Sequence, residues 1–65
     1  MPAPFTIVTF ADADGDEFPV RVGFVRPGYT RVECVRLARV ELQRLVVAGD
    51  MRPTEPTHVV KVETV

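Results

Sequence analysis

The chain contains one cysteine, Cys34, and one histidine, His58, among 65 residues. A single cysteine excludes an internal disulfide, and one cysteine with one histidine cannot complete a structural zinc site of about four ligands. Domains of this size usually depend on a disulfide, a metal or a partner subunit. We therefore predict a single domain, residues 1–65, that has no metal or other cofactor and forms a homodimer.

The charge balance argues against two classes of partner. Eight Lys and Arg against nine Asp and Glu give a net charge of −1, so the whole chain attracts neither nucleic acid nor an anionic membrane. No apolar run approaches the roughly 20 residues of a membrane span, and residues 1–5 lack the pattern of a secretory signal. We expect a cytoplasmic protein without membrane contacts.

The composition also indicates the type of genome that encodes the chain. Arginine outnumbers lysine seven to one, valine occurs thirteen times, and serine and asparagine are absent. This bias is expected of GC-rich coding, and it suggests a phage or an actinobacterial genome as the source.

Two strand-like runs, residues 5–11 and 18–25, flank an acidic turn. The turn contains Asp14 and Gly15, a pair that tolerates the positive φ angles of a type I′ turn. Centring the turn on this pair predicts a hairpin register in which partner numbers sum to 29. Ile7 then lies opposite Val22.

This register predicts which side chains share a face. One face is almost wholly apolar, formed by Phe5, Ile7, Thr9 and Ala11 with Phe18, Val20, Val22 and Phe24. The other face exposes Val8, Phe10 and Val25. Pro19 lacks an N–H on the side away from the first strand, which predicts that the second strand is a sheet edge.

The helix has clear signals at both ends. Thr30 followed by Glu33 is a capping box, and Gly49 is placed as a C′ glycine. We predict a helix over residues 31–48. Its apolar stripe, which is expected to cover the sheet, is formed by Cys34, Val35, Ala38, Leu42, Leu45 and Val46.

The C-terminal part predicts an irregular arm and a third strand. Pro53 and Pro56 keep residues 49–56 out of regular structure. Val60 and Val62 then alternate with Lys61 in a strand over residues 58–64. The sequence thus predicts an α+β fold of order β-β-α-β, with a three-stranded antiparallel sheet (order 2-1-3) covered on one face by a single helix.

Few residues can carry catalysis. Cys34 with His58 is the one candidate pair for nucleophilic chemistry, but Cys34 belongs to the apolar stripe, where cysteine behaves as a small hydrophobe. The acidic turn lacks the glycine position, the twelfth-position glutamate and the flanking helices of an EF-hand, so it is interpreted as a solvated turn. It consists of Asp12, Asp14, Asp16 and Glu17. We predict no enzyme activity, no catalytic residue and no metal ligand.

An alternative function is nucleic-acid binding through a local basic patch, formed by Arg21, Arg36, Arg39 and Lys61. Glutamates interleave with the helical arginines, however, and Glu33 and Glu41 are placed to pair with Arg36 and Arg44. A solvated, salt-bridged helix surface is the simpler interpretation.

Apolar residues that the core does not use suggest a protein interface. On the second sheet face we predict Val8, Phe10, Val25 and Val59, and on the outer side of the helix Leu37, Val40 and Val47. The favoured interpretation is a non-catalytic binding module, an accessory or regulatory protein that acts through protein contacts and self-associates. We expect the sheet face to contribute more than the helix, because Phe10 has the largest apolar area.

Overall fold

The computed structural model describes residues 5–23 and 30–64. The elements are β1 (Thr6–Ala11), β2 (Glu17–Val22), α1 (Arg31–Val47) and β3 (His58–Thr64). The strands form one antiparallel sheet ordered β2-β1-β3, and α1 packs mainly on β2 and to a lesser extent on β1. The predicted element order, sheet order and helix cover are confirmed.

The ends of α1 are stabilised by the predicted residues. Thr30 Oγ1 accepts a hydrogen bond from Glu33 N at 3.2 Å, which satisfies one of the free amides at the helix start. At the other end Gly49 has a φ of 83°, and Asp50 N donates to Leu45 O at 2.9 Å. This is the Schellman arrangement, in which a left-handed glycine lets the chain turn back over the last helical carbonyls.

The hairpin register differs by one residue from the prediction. Phe10 pairs with Phe18, so partner numbers sum to 28. Gly15 has a φ of 86°, and no non-glycine residue within 5–23 and 30–64 has a positive φ. A type I′ turn needs two such residues. Asp12 N instead donates to Asp16 O at 3.0 Å, which closes a three-residue loop with glycine at its left-handed position.

A shift of one residue moves β1 relative to β2, so the other row of β1 side chains shares a face with Val20 and Val22. Val8 and Phe10 are fully buried, with 0% exposure, and they pack in the core with Val20, Val22, Ala38 and Leu42. The prediction that Val8 and Phe10 lie on an exposed face is therefore wrong. Val25, which was assigned to the same face, lies outside the described residues, as does Phe24.

A β-bulge in β3 changes which valines face the core. Val62 lies opposite Val8, but Val59 lies opposite Phe10, so Val60 is an extra residue. A bulge of this kind breaks the strict alternation of side chains. Val59 and Val62 both pack against the core, and Val60 is 44% exposed. The placement of Val59 on the outer face is wrong for this reason.

Replacing Gly15 with valine is expected to destabilise the fold. A built Cβ at Gly15 meets no atom within 4 Å, so the cost comes from the backbone conformation alone. A left-handed conformation costs an ordinary residue roughly 1–2 kcal/mol, and a β-branched residue tolerates it least. Thermal unfolding is the measurement, with Gly15→Asn as the control that should lose less stability. Equal melting temperatures for the parent and Gly15→Val would remove the turn assignment.

Candidate interaction surfaces

An apolar row on α1 remains outside the core. Leu37, Val40 and Val47 are 42%, 67% and 79% exposed, and we call them the α1 row. The opposite side of the helix packs on the sheet through Cys34, Ala38 and Leu42, which are buried. The predicted division of the helix into an inner and an outer apolar face is confirmed. Val32, placed at the margin of the inner face by the helical periodicity, is 67% exposed.

A groove of about 310 Å³ runs beside part of the α1 row, between the helix and the end of β2. It is lined by Arg21, Val22, Gly23, Leu37, Val40 and Glu41. The groove mixes apolar and charged side chains, which is typical of surfaces that contact proteins.

The helix carries one of the two predicted intrahelical ion pairs, Glu41 with Arg44, whereas Glu33 and Arg36, both among the described residues, form none. Arg44 Nε donates to Glu41 Oε2 at 3.0 Å. This hydrogen bond lowers the pKa of Glu41 below its usual range, assisted by the positive charge of Arg44. Because Arg44 is well exposed, the pair contributes little to stability, and it keeps this part of the helix surface charged.

The four residues proposed for nucleic-acid binding do not share one surface. Arg21 and Lys61 lie opposite Ile7 and Thr9. Since side chains alternate along a strand and Val8 faces α1, these two residues leave the sheet on the face away from the helix, although Arg21, on the edge strand β2, also lines the groove beside α1. The other two, Arg36 and Arg39, belong to α1.

Three of these four basic residues are also engaged within the chain. The Arg21 guanidinium lies 4.0 Å from the centre of the Phe5 ring, and Arg39 Nη1 donates to Thr57 Oγ1 at 3.4 Å. Lys61 Nζ lies 3.3 Å from Glu63 Oε1. Such contacts hold the cations in place locally and provide no continuous positive surface for phosphates.

The acidic turn is organised by Asp12, which is only 4% exposed. Its Oδ1 accepts from Asp14 N at 3.0 Å and from Asp16 N at 2.9 Å, and its Oδ2 accepts from Thr54 N at 3.0 Å. The bond from Thr54 is the largest cause that lowers the pKa of Asp12, and the amides of the turn add to it, against an opposing effect of burial. Asp12 thus joins the hairpin to the arm that precedes β3.

The link between turn and arm has two further bonds. Ala13 N donates to Thr54 O at 2.9 Å, and Thr54 Oγ1 donates to Asp14 Oδ2 at 2.8 Å. Sequence reasoning interpreted the whole turn as solvated, which is wrong for Asp12. An aspartate before an aspartate-glycine pair is a local signal for a side chain that accepts turn amides, but the contact with Thr54 joins residues 42 positions apart.

The carboxylates of Asp12, Asp14 and Asp16 come close enough to hold a cation, with ligand atoms within 4.8 Å of one another. Both oxygens of Asp12 already accept backbone amides, however, and Asp14 accepts the Thr54 hydroxyl. These hydrogen bonds account for the Asp12 and Asp14 carboxylates as part of the fold, and Asp16 joins the same turn through its backbone N and O.

The Cys34 and His58 side chains occupy different environments. Cys34 is buried in the first turns of α1, and His58 is exposed opposite Ala11. Thr57, the residue before His58, contacts Arg39. Arg39 and Cys34 both belong to α1, and at about 1.5 Å per residue they are about 7.5 Å apart along the helix axis. The interpretation of Cys34 as an apolar core residue fits this placement.

Comparison with protein-family models, curated proteins and solved structures gave no match. In the part of the chain that the structure describes, α1 is too short and too polar to cross a membrane.

Proposed function

We propose that the chain is a non-catalytic binding module that acts through contacts with protein chains and associates with itself. The observation that carries this proposal is the uneven cover of the sheet. The helix lies over β2 and β1, and within the described strand His58–Thr64 no residue is buried. Val60 is 44% exposed, and Val59 and Val62, which pack against the core, remain half-buried.

The small size of the chain also supports self-association. A domain of 65 residues has a small core, and it gains stability when a second chain covers apolar surface. Two surfaces are available for protein contacts, the α1 row and the outer side of β3. Charged side chains lie beside both, Glu41 and Arg44 on α1 and Lys61 and Glu63 on β3, and polar residues are usual at the margin of a protein interface.

Sedimentation at micromolar concentration tests the proposal. We expect the parent protein to sediment as a species larger than a monomer, with a monomer fraction that rises on dilution. Val40→Asp, compared with Gln43→Asp as a control of equal charge change on the same helix, measures the contribution of the α1 row. A parent that sediments as a monomer at every concentration would contradict the proposed function.

A further inference from the structure

The outer edge of β3 has free backbone groups. Asp12 N pairs with β2 through Asp16 O, and backbone groups alternate in direction along an antiparallel strand. The backbone N–H and C=O groups of Thr6 and Val8 therefore also point to β2, and those of Ile7 and Thr9 point to β3. It follows that Val62 and Thr64, which lie opposite Val8 and Thr6, direct their N–H and C=O groups away from the sheet.

The two edges of the sheet differ in their capacity to accept another strand. On β2, Pro19 lies opposite Thr9, at a position where backbone groups point outward, and proline offers no N–H. The middle of that edge thus lacks a donor. In the described strand His58–Thr64, by contrast, there is no proline. A further strand can therefore add to the sheet along the part of β3 that follows the bulge at Val60.

The charges of β3 select one partner strand and one register. Lys61 and Glu63 share one face, with Lys61 Nζ 3.3 Å from Glu63 Oε1. If β3 pairs antiparallel with a second β3 so that the two Val62 residues are opposite, each Lys61 lies opposite a Glu63. C-terminal to the bulge at Val60, only alternate residues direct backbone groups outward, so the nearest other registers are two residues away. Those registers place Lys61 opposite Lys61 or Glu63 opposite Glu63, which is unfavourable.

We propose that two copies of this chain associate by pairing their β3 strands about a two-fold axis at Val62, which forms a continuous sheet of six strands. This inference rests on the proposed function, because it names the surface of the self-association. It places the two Val62 side chains beside each other on the face that carries α1. The β3 edge becomes an internal part of the sheet, and its half-buried valines gain cover.

Charge variants of the full chain test the register. Lys61→Glu and Glu63→Lys each place like charges opposite one another in the proposed pairing. Each variant alone is therefore expected to self-associate about tenfold more weakly than the parent. A mixture of the two variants restores opposite charges at both positions, so we expect them to form a heterodimer with parent-like affinity. The measurement is sedimentation of each variant alone and of the mixture.

The mixture also controls for folding, because a misfolded variant cannot restore association. If both single variants associate as the parent does, or if the mixture associates no better than its components, the β3 pairing is wrong. The proposed function survives that result, provided that the parent still associates. Loss of association in Val40→Asp but not in the two charge variants assigns the interface to the α1 row and overturns this inference. A monomeric parent overturns the proposed function itself.

Discussion

Replacing Phe10 with alanine is expected to unfold most of the protein. Phe10 is fully buried at the centre of the core that α1 closes. Removing a buried phenylalanine side chain costs roughly 3–5 kcal/mol, because apolar contacts are lost and a cavity remains. Native proteins are stable by about 0.05–0.15 kcal/mol per residue, which is roughly 3–10 kcal/mol for 65 residues. The loss is thus comparable to the whole free energy of unfolding.

Urea unfolding followed by circular dichroism measures this effect. Leu37→Ala is the matched control: Leu37 is 42% exposed, so we expect its truncation to change the free energy of unfolding by a small fraction of the Phe10 effect. If Phe10→Ala retained the stability of the parent and instead lost self-association, Phe10 would belong to an interface and the hairpin register described above would be wrong.

The hairpin shows how far the sequence predicts a sheet. Both strands, a turn at Asp14 and Gly15 and the edge position of Pro19 follow from residue types, and the structure has them. The predicted type I′ turn is wrong, because the loop has three residues. The inner face of β1 could not be predicted, because a two-residue and a three-residue loop suit the same aspartate-glycine pair. The two-residue loop puts Ile7 on the face of Val20 and Val22, and the three-residue loop puts Phe10 there. Both registers therefore give an apolar face. The helix decides between them by packing on Val8 and Phe10.

The third strand shows a second limit. Its bounds, His58–Thr64, agree with the prediction, because proline and the valine alternation mark them. The bulge at Val60 leaves no comparable signal, since three of the residues from 59 to 62 are valines. The side chains that oppose Val8 and Phe10 are determined by pairing with β1, a contact between segments about 50 residues apart that no local pattern contains.

The candidate surfaces also differ in how far the sequence predicts them. The α1 row was predictable because helical periodicity and capping are local, and one helix has one inner face. The sheet-face surface was not, because it depended on the hairpin register. The free edge of β3 depends on both local sequence and long-range pairing. The charges of Lys61 and Glu63 can be read from the sequence. The direction of the backbone groups follows only from the observed pairing with β1.

Replacing Asp12 is expected to separate the arm from the hairpin. Asp12→Ala loses the three hydrogen bonds from Asp14 N, Asp16 N and Thr54 N, and leaves these three backbone amides without their acceptor. We expect the melting temperature to fall by about 10 °C or more. Asp12→Asn keeps one side-chain oxygen for the turn amides but presents an NH2 group to Thr54 N. Its loss is expected to be smaller and to affect the arm more than the turn.

The pH dependence of unfolding tests the same carboxylate. The three accepted amides lower the pKa of Asp12 below its ordinary value of 3.8. A lowered folded-state pKa gives stability that is fully present above the unfolded value and is lost as the pH falls through the folded value. The melting temperature of the parent should therefore exceed that of Asp12→Asn at pH 6, and this difference should shrink below a pH of about 3.8.

Exposed carboxylates require a control for general acid effects. Asp16→Asn changes an exposed side chain and keeps the amide that donates to Asp12. Its melting curve against pH should run close to that of the parent, including the steep fall below a pH of about 3.8. If the parent and Asp12→Asn instead lose stability in parallel as the pH falls, the Asp12 carboxylate does not hold the arm. The link from the hairpin to β3 then depends on the two remaining bonds, from Ala13 N and Thr54 Oγ1.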